Sequence, residues 1–480
     1  MKLIYGVKDR PKMGQLLLFS LQQLLAILAA TIAVPTIIGN GMSQSAALFG
    51  AGVGTIVYLL FTKFKSPVFL GSSFAFLGSM FAAFGGAASV SMGYFGLLLG
   101  AVFAGLVYVI IAVIVKFAGV NWIDKIMPAV VIGPTVAIIG LSLAGNAVGD
   151  LMKGSALNAA QAPLANPFIA LLCGLVTLGV TIACSVYGKK TLKMIPFIIG
   201  ILAGYAVAAI FTAFSYIEGA EVLRVIDFEK FKQLSEAKAW YPDFTFLHAF
   251  RFGDFKGADV GAFIGTIAVA YIPVAFVVFA EHIADHKNIS SIIETDLLKD
   301  PGLYRTLLGD GVGSMAGALF GGCPNTTYGE SVGCVAISGN ASVATIFVTA
   351  IMAIISAFIA PFTLFLATIP SCVMGGVCIA LYGFIAVSGL KMIQPIDLND
   401  NRNLFVVSVI LIAGVGGMTL NIGKVTITAV ACALILGILA NLLVNIKNKK
   451  DAKTEEVPAE TAEVKPEEVK PEEVKSDEQV

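Results

Sequence analysis

Charge is what this sequence has least of. Only 13% of its 480 residues are Asp, Glu, Lys or Arg, against about 25% in an ordinary soluble domain. Histidine is rarer, with three residues, and tryptophan has two. None of the seven cysteines stands in a CxxC pair, and all lie in or beside apolar segments. They read as small hydrophobes within helices, so no metal site is expected. There is no basic patch interleaved with aromatics, which excludes a nucleic-acid partner. There is no P-loop, no GxSxG and no paired catalytic set. ATP-driven transport and membrane hydrolysis therefore have no support, and neither an enzyme nor a bound cofactor is expected. No cleavable signal peptide is evident, because the first apolar run is long enough to span and lacks a small-residue cleavage site.

What is present is apolar sequence in long runs. Hydrophobic residues make up 57% of the chain, and the mean hydropathy is +0.89. The runs are continuous and lack the alternation of barrel strands, so an all-α membrane protein is predicted. A span needs about 20 apolar residues. Seven such segments are expected near 16–38, 46–62, 68–84, 94–117, 127–146, 168–187 and 195–214. A charged stretch at 215–259 reads as an extramembrane loop. Seven more follow near 260–284, 303–321, 326–339, 342–368, 370–390, 404–420 and 424–446. With a cytoplasmic N-terminus at 1–15, the inner loops hold Lys63, Lys65, Lys116, Lys125, Lys189, Lys190 and Lys193, then Lys287, Lys299, Arg305, Lys391 and Arg402. The short outer loops at 39–45 and 85–93 hold no basic residue, as the positive-inside rule requires. The loop at 215–259 departs from the rule. The tail at 447–480 contains VKPEEVKPEEVK and reads as a disordered cytoplasmic segment.

Seven segments on either side of the long loop place the two halves in opposite orientations, the pattern of an inverted repeat. Pro128–Gly140 reads PAVVIGPTVAIIG and Pro370–Gly383 reads PSCVMGGVCIALYG, with the Pro, a Val and the first Gly in register. The third segment of each half is interrupted by small polar residues, GSSFAF from Gly71 and PNTTYGE from Pro324. Such a pair in matching positions points to a binding site near the midplane.

Two intramembrane acids stand out. Glu281 follows the apolar run IPVAFVVFA, and Asp285 lies one helical turn further on the same face. His282 and His286 complete a cluster that could also mark the water-facing inner end of the helix. Glu330 sits just beyond the polar break, with no basic residue nearby in sequence. An acid at that depth must be protonated, solvated in a cavity or bonded to a ligand. Two carboxylates that share one cavity cannot cheaply both be charged, so together they can hold a proton. Close packing of small residues is the competing explanation for GSSFAF and GESVG.

The run PNTTYGESVG resembles the signature of the nucleobase–ascorbate transporter family, the nucleobase:cation symporters of the second kind. QQLLAILAATIAVP, YLLFTKFKSPVFLGSSFAF, VVFAEHIADH and DLLKDPGLYRTLLGDGVGSMAGALFGG extend the likeness over most of the chain. Within that family the chain is most similar to the bacterial uracil permeases, which are uracil:proton symporters. The resemblance implies fourteen transmembrane segments in two inverted repeats of seven. A core domain would comprise 16–126 and 260–368, and a gate domain 127–214 and 369–446. Segments 3 and 10 would each contain a short strand, paired antiparallel. Glu281 and Glu330 match positions that hold the base. Phe74 and Gly329 match positions whose backbone N–H groups meet its carbonyl oxygens, and Ala30 and Tyr328 match positions lining the pocket. The two Glu would also carry the coupled proton. Some relatives have His where this chain has Asp285, so Asp285 either takes over that part or leaves it to the Glu pair. The expectation is a multi-pass permease of a bacterial inner membrane, with both termini cytoplasmic, acting alone or as a homodimer. A xanthine or urate permease and an anion transporter of the same architecture are the alternatives.

Overall fold

The computed structural model describes residues 3–119, 128–158, 162–189, 192–193, 195–422 and 425–445. The Pro/Glu/Lys-rich tail falls outside these. Helices dominate, and their lengths follow the apolar runs. The first half contains α1 (Met13–Ile38), α2 (Gln44–Phe61), β1 (Leu70–Ser72), α3 (Leu77–Gly85) and α4 (Val90–Ala118). It continues with α5 (Ala129–Ser142), α6 (Ala144–Asp150), α7 (Pro167–Tyr187) and α8 (Pro196–Glu218). The long loop forms short 3-10 turns and one short helix, α9 (Thr245–Ala249). The second half contains α10 (Val260–Ile293), α11 (Leu303–Gly321), β2 (Asn325–Thr327), α12 (Gly329–Ser338), α13 (Val343–Ser356) and α14 (Ala360–Thr368). It ends with α15 (Ser371–Ile393), α16 (Asn401–Val415), β3 (Leu420–Ile422), β4 (Val425–Ile427) and α17 (Ala429–Val444).

Eight helical stretches among the described residues are long and apolar enough to cross a membrane, or nine if one bent pair counts as a single span. The expected segments outside that set differ for physical reasons. The stretch read as one span at 342–368 bends by 83° between α13 and α14, where Pro361 opens the new helix. The segments around β1 and β2 are half-helices broken by extended backbone. α11 is diluted by glycines and Asp310, and α16 and α17 have only 15 and 16 residues. α10 runs nine residues past the expected end at 284, as far as Ile293. His282, Asp285 and His286 therefore lie within the helix, so they do not mark its end.

The packing repeats itself. α4 packs on α11 and α10, as α13 packs on α2 and α1. α7 packs on α8 and α15, as α16 packs on α17 and α5. α2 pairs with α11, α5 with α15, and β1 with β2. Exchanging first-half elements for second-half ones leaves this pattern unchanged. Pro128 and Pro370, matched in the sequence, cap the paired helices α5 and α15. Two sets of helices result. α1–α4 and α10–α13 form one, and α5–α8 with α15–α17 form the other.

Candidate binding site

The first set is built around the β1–β2 pair. Gly322, with φ 72°, ends α11 in the left-handed conformation, and Pro324 cannot donate to a helix. The chain leaves the helix and runs extended through Asn325, Thr326 and Thr327. Leu70 pairs with Thr327, Gly71 with Thr326 and Ser72 with Asn325, antiparallel. Tyr328 N–H donates to Phe69 O at 3.1 Å, and Ser73 N–H donates to Pro324 O at 2.9 Å. These bonds satisfy backbone that could not stand bare in a membrane interior.

Side chains fix this pair in place. Thr55 Oγ1 of α2 accepts from Leu70 N–H at 2.9 Å. Asn325 Nδ2 donates to Gly50 O of α2 at 3.0 Å. Asn325 fits there because α2 and α11 cross closely; a Cβ on Gly54 would come within 2.6 Å of its amide and 2.7 Å of Gly313 O. Ser331 Oγ accepts from Gln23 Nε2 of α1 at 2.5 Å and from Phe69 N–H at 3.0 Å. Tyr328 lies across the strands and donates its hydroxyl to Ser72 O at 2.8 Å. Only glycine fits at Gly71, since a Cβ there would overlap the Tyr328 ring.

Each strand leads into a helix N-terminus. Phe74 opens a 3-10 turn that becomes α3, and Gly329 opens α12. The first N–H groups of a helix have no partner within it and carry the positive end of its dipole. Both ends reach a cavity of about 350 Å³, a size typical of small-molecule sites. Glu281 and Asp285 of α10 and Glu330 of α12 supply its carboxyls. Among the described residues neither Glu281 nor Glu330 is in an ion pair. Asp285 Oδ2 accepts from Thr327 Oγ1 at 2.8 Å. Tyr382 of α15 meets the Phe74 ring edge-on at 5.8 Å, so the two helix sets face each other across the cavity.

Six of the seven residues singled out in the sequence line this cavity: Glu281, Glu330, Asp285, Gly329, Phe74 and Tyr328. Ala30 does not. It is 1% exposed, and Ala26, one turn earlier on α1, lines the wall instead. His282 and His286 are fully buried and bonded to Asp310 and Tyr58. Asp310, the partner of His282, escaped notice. Its signal was a lone acid within the small-residue run GDGVGSMAGALFGG. Chemically, the cavity offers carboxyl acceptors on one side and backbone N–H donors on another. That suits a small planar molecule with both N–H and C=O edges.

A family model described as "Permease family" matches residues 14–423. The chain belongs to this permease family. The permease is 38% identical over 447 residues to the uracil permease of Bacillus caldolyticus, covering 92% of this chain and 95% of that one. It is 37% identical to the uracil permease of Bacillus subtilis (strain 168), covering 95% and 98%. With the uracil permease of Escherichia coli (strain K12) it shares 33% identity, covering 96% and 98%. Among solved structures, the permease is similar in fold to the transmembrane domain of the cyanobacterial bicarbonate transporter BicA. The TM-score is 0.62 at 16% identity, covering 91% of this chain and 99% of that one. Its fold also resembles that of SLC26A9, with TM-score 0.63 at 12% identity, covering 91% and 66%. The permease is thus a multi-pass membrane transporter and not an enzyme.

Proposed function

We propose that this permease imports uracil across a bacterial cytoplasmic membrane by proton symport with alternating access. The observation that carries this is the cavity where Glu281, Glu330 and two helix N-termini converge. Uracil has two ring N–H donors and two carbonyl acceptors, which the carboxyls and the N–H groups of Phe74 and Gly329 complement. Tyr328 braces the wall, and Asp285 lies one turn below Glu281. A base of the wrong pattern leaves buried groups unpaired, at about 1–3 kcal/mol each. The names of the relatives support the same substrate.

Fourteen segments, in two inverted repeats of seven, give a core domain (16–126 and 260–368) and a gate domain (127–214 and 369–446). The repeated packing supports this division, and the basic residues of the inner loops support a cytoplasmic position for both termini. The cavity extends past Ser185, Lys193 and Met392, beside segments read as cytoplasmic, which supports an inward-open reading of this state. The core moves against the gate, and protonation of cavity carboxyls couples the movement to the gradient.

Fold similarity to anion transporters favours a second reading, in which the helix N-termini bind a small anion. Three carboxyls in one cavity oppose it, as does the sequence likeness to uracil permeases. The test is uptake of labelled uracil into proteoliposomes, with and without an inward proton gradient, with xanthine and bicarbonate as competitors. Uracil uptake that rises with the gradient and resists bicarbonate is expected. Absence of uracil uptake removes the substrate, and competition by xanthine alone redirects it to purines.

A further inference from the structure

α10 carries ionisable side chains that the cavity does not use. His282 and His286 are fully buried, and their rings stack with centroids 4.0 Å apart. His282 Nδ1 lies 2.7 Å from Asp310 Oδ2 of α11, and its Nε2 lies 3.0 Å from Thr306 Oγ1. Asp310 is 1% exposed, and its Oδ1 is buried without a hydrogen-bond partner. His286 Nδ1 lies 2.7 Å from His282 O, and its Nε2 lies 2.7 Å from the Tyr58 hydroxyl.

Hydrogen-bond chemistry assigns the protons. A peptide carbonyl only accepts, so His286 carries hydrogen on Nδ1, while the Tyr58 hydroxyl beside its Nε2 donates to Ser66 Oγ at 2.7 Å. Thr306 donates to Leu303 O at 3.0 Å, so its oxygen accepts from His282 Nε2–H. His282 Nδ1 then faces Asp310 Oδ2 with one proton between them. Whether that proton sits on the carboxyl or on the ring, the pair is net neutral, which a dry interior favours. Removing it leaves a charged carboxylate beside a neutral ring. The hydrogen must then sit on Nδ1, and Thr306 must turn its hydroxyl from Leu303 O to Nε2. The pair therefore has two defined states that differ by one proton and one hydroxyl rotation.

We propose that the His282–Asp310 pair is a second proton-binding site of this permease, and that the coupled proton resides there while the cavity carboxyls hold the base. This rests on the proton-symport reading above. A narrow crevice lined by Tyr108, Asp310, Ser314, Asn325 and Thr326 adjoins the pair, and Thr326 also lines the main cavity. Thr326 thus borders both the crevice and the base site, and in this proposal the proton enters from that side. The row through His286, Tyr58 and Ser66 gives no second path, because the His282 carbonyl accepts a hydrogen bond but passes no proton on. The titratable groups around the pair are Tyr108 of α4, Tyr58 of α2, and Glu281, Asp285 and His286 of α10.

The test uses the full chain in proteoliposomes. With one coupled proton, each pH unit of inward gradient multiplies uracil accumulation about tenfold. Asp310→Asn should still bind uracil but lose this response. An Asp310→Asn variant that keeps it overturns the proposal, whereas a wild type without it overturns the symport reading as well. A second measurement needs no variant. The chain has three histidines, His248, His282 and His286, so ring-15N-labelled protein gives three resolvable rings. Uracil addition should change the protonation pattern of the His282 ring nitrogens. A His282 signal that uracil leaves unmoved overturns the assignment.

Discussion

The two halves of the molecule share a packing plan but not a chemistry. β1 and β2 are equivalent partners, each followed by a short helix whose N-terminus reaches the cavity. Yet every carboxyl lining the cavity comes from the second half, from α10 and α12. Around its strand the first half offers Ala26, Ser73, Phe74 and Ala75, and its other helices and the turn before α8 add Val136, Ile139, Ser185, Lys193, Pro196 and Phe197. The symmetric part is thus the backbone, where strand pairing has to satisfy exposed N–H and C=O groups in both halves alike. Side chains are free of that constraint. One half lines the cavity without a carboxyl, and the other supplies all three acids. The lesson is that a pseudo-symmetric scaffold can hold an asymmetric ligand, donors on one wall and acceptors on another.

The comparison breaks first at the acids. Glu281→Gln or Glu330→Gln replaces an acceptor with a group that also presents N–H donors. Each should weaken uracil binding by about 2 kcal/mol or more, roughly 30-fold, measured by equilibrium binding to purified protein. Near-wild-type affinity in both variants would place the base elsewhere. On the scaffold side, Gly71→Ala pushes a methyl into the Tyr328 ring. Overpacking of this kind costs about 1–3 kcal/mol, so thermal stability should fall and binding with it. Gly78 of α3 is the control, because a Cβ there meets nothing within 4 Å. Gly78→Ala should leave both nearly unchanged. Equal losses at Gly71 and Gly78 would mean that strand packing does not hold the site.

Much of this was legible in the sequence, for a physical reason. Polar breaks inside apolar runs are costly, so GSSFAF and PNTTYGE had to carry a purpose, and Glu281 and Glu330 followed. What the sequence hid were partnerships. AEHIADHKN lowers hydropathy enough to suggest a helix end, yet α10 continues to Ile293 because Asp310, Thr306, Tyr58 and Thr327 bond its polar side chains. Those partners come from α11, α2 and β2, and no local pattern names them. Ala30 and Ala26 share one helix face, and hydropathy cannot rank them; the tilt of α1 against its neighbours decides which one meets the cavity. The bend between α13 and α14 hid because Pro361 sits in an otherwise unbroken apolar run.

Smaller effects sharpen the division between wall and brace. Tyr328→Phe deletes the hydroxyl that bonds Ser72 O but leaves the ring on Gly71. One hydrogen bond of this kind contributes about 1 kcal/mol, so the melting temperature should drop modestly. Binding should follow only as far as the strands loosen. Thr327→Val is the mildest change. It keeps the shape of β2 and a β-branched side chain in the strand, and removes only the donor to Asp285 Oδ2. If Asp285 supports the base site at a distance, uracil affinity should fall about fivefold or less, with stability hardly altered. A drop as large as that of Glu281→Gln would instead put Asp285 in direct contact with the base. The acceptor wall would then hold three carboxyls rather than two, and the asymmetry between the halves would be deeper than the two Glu suggest.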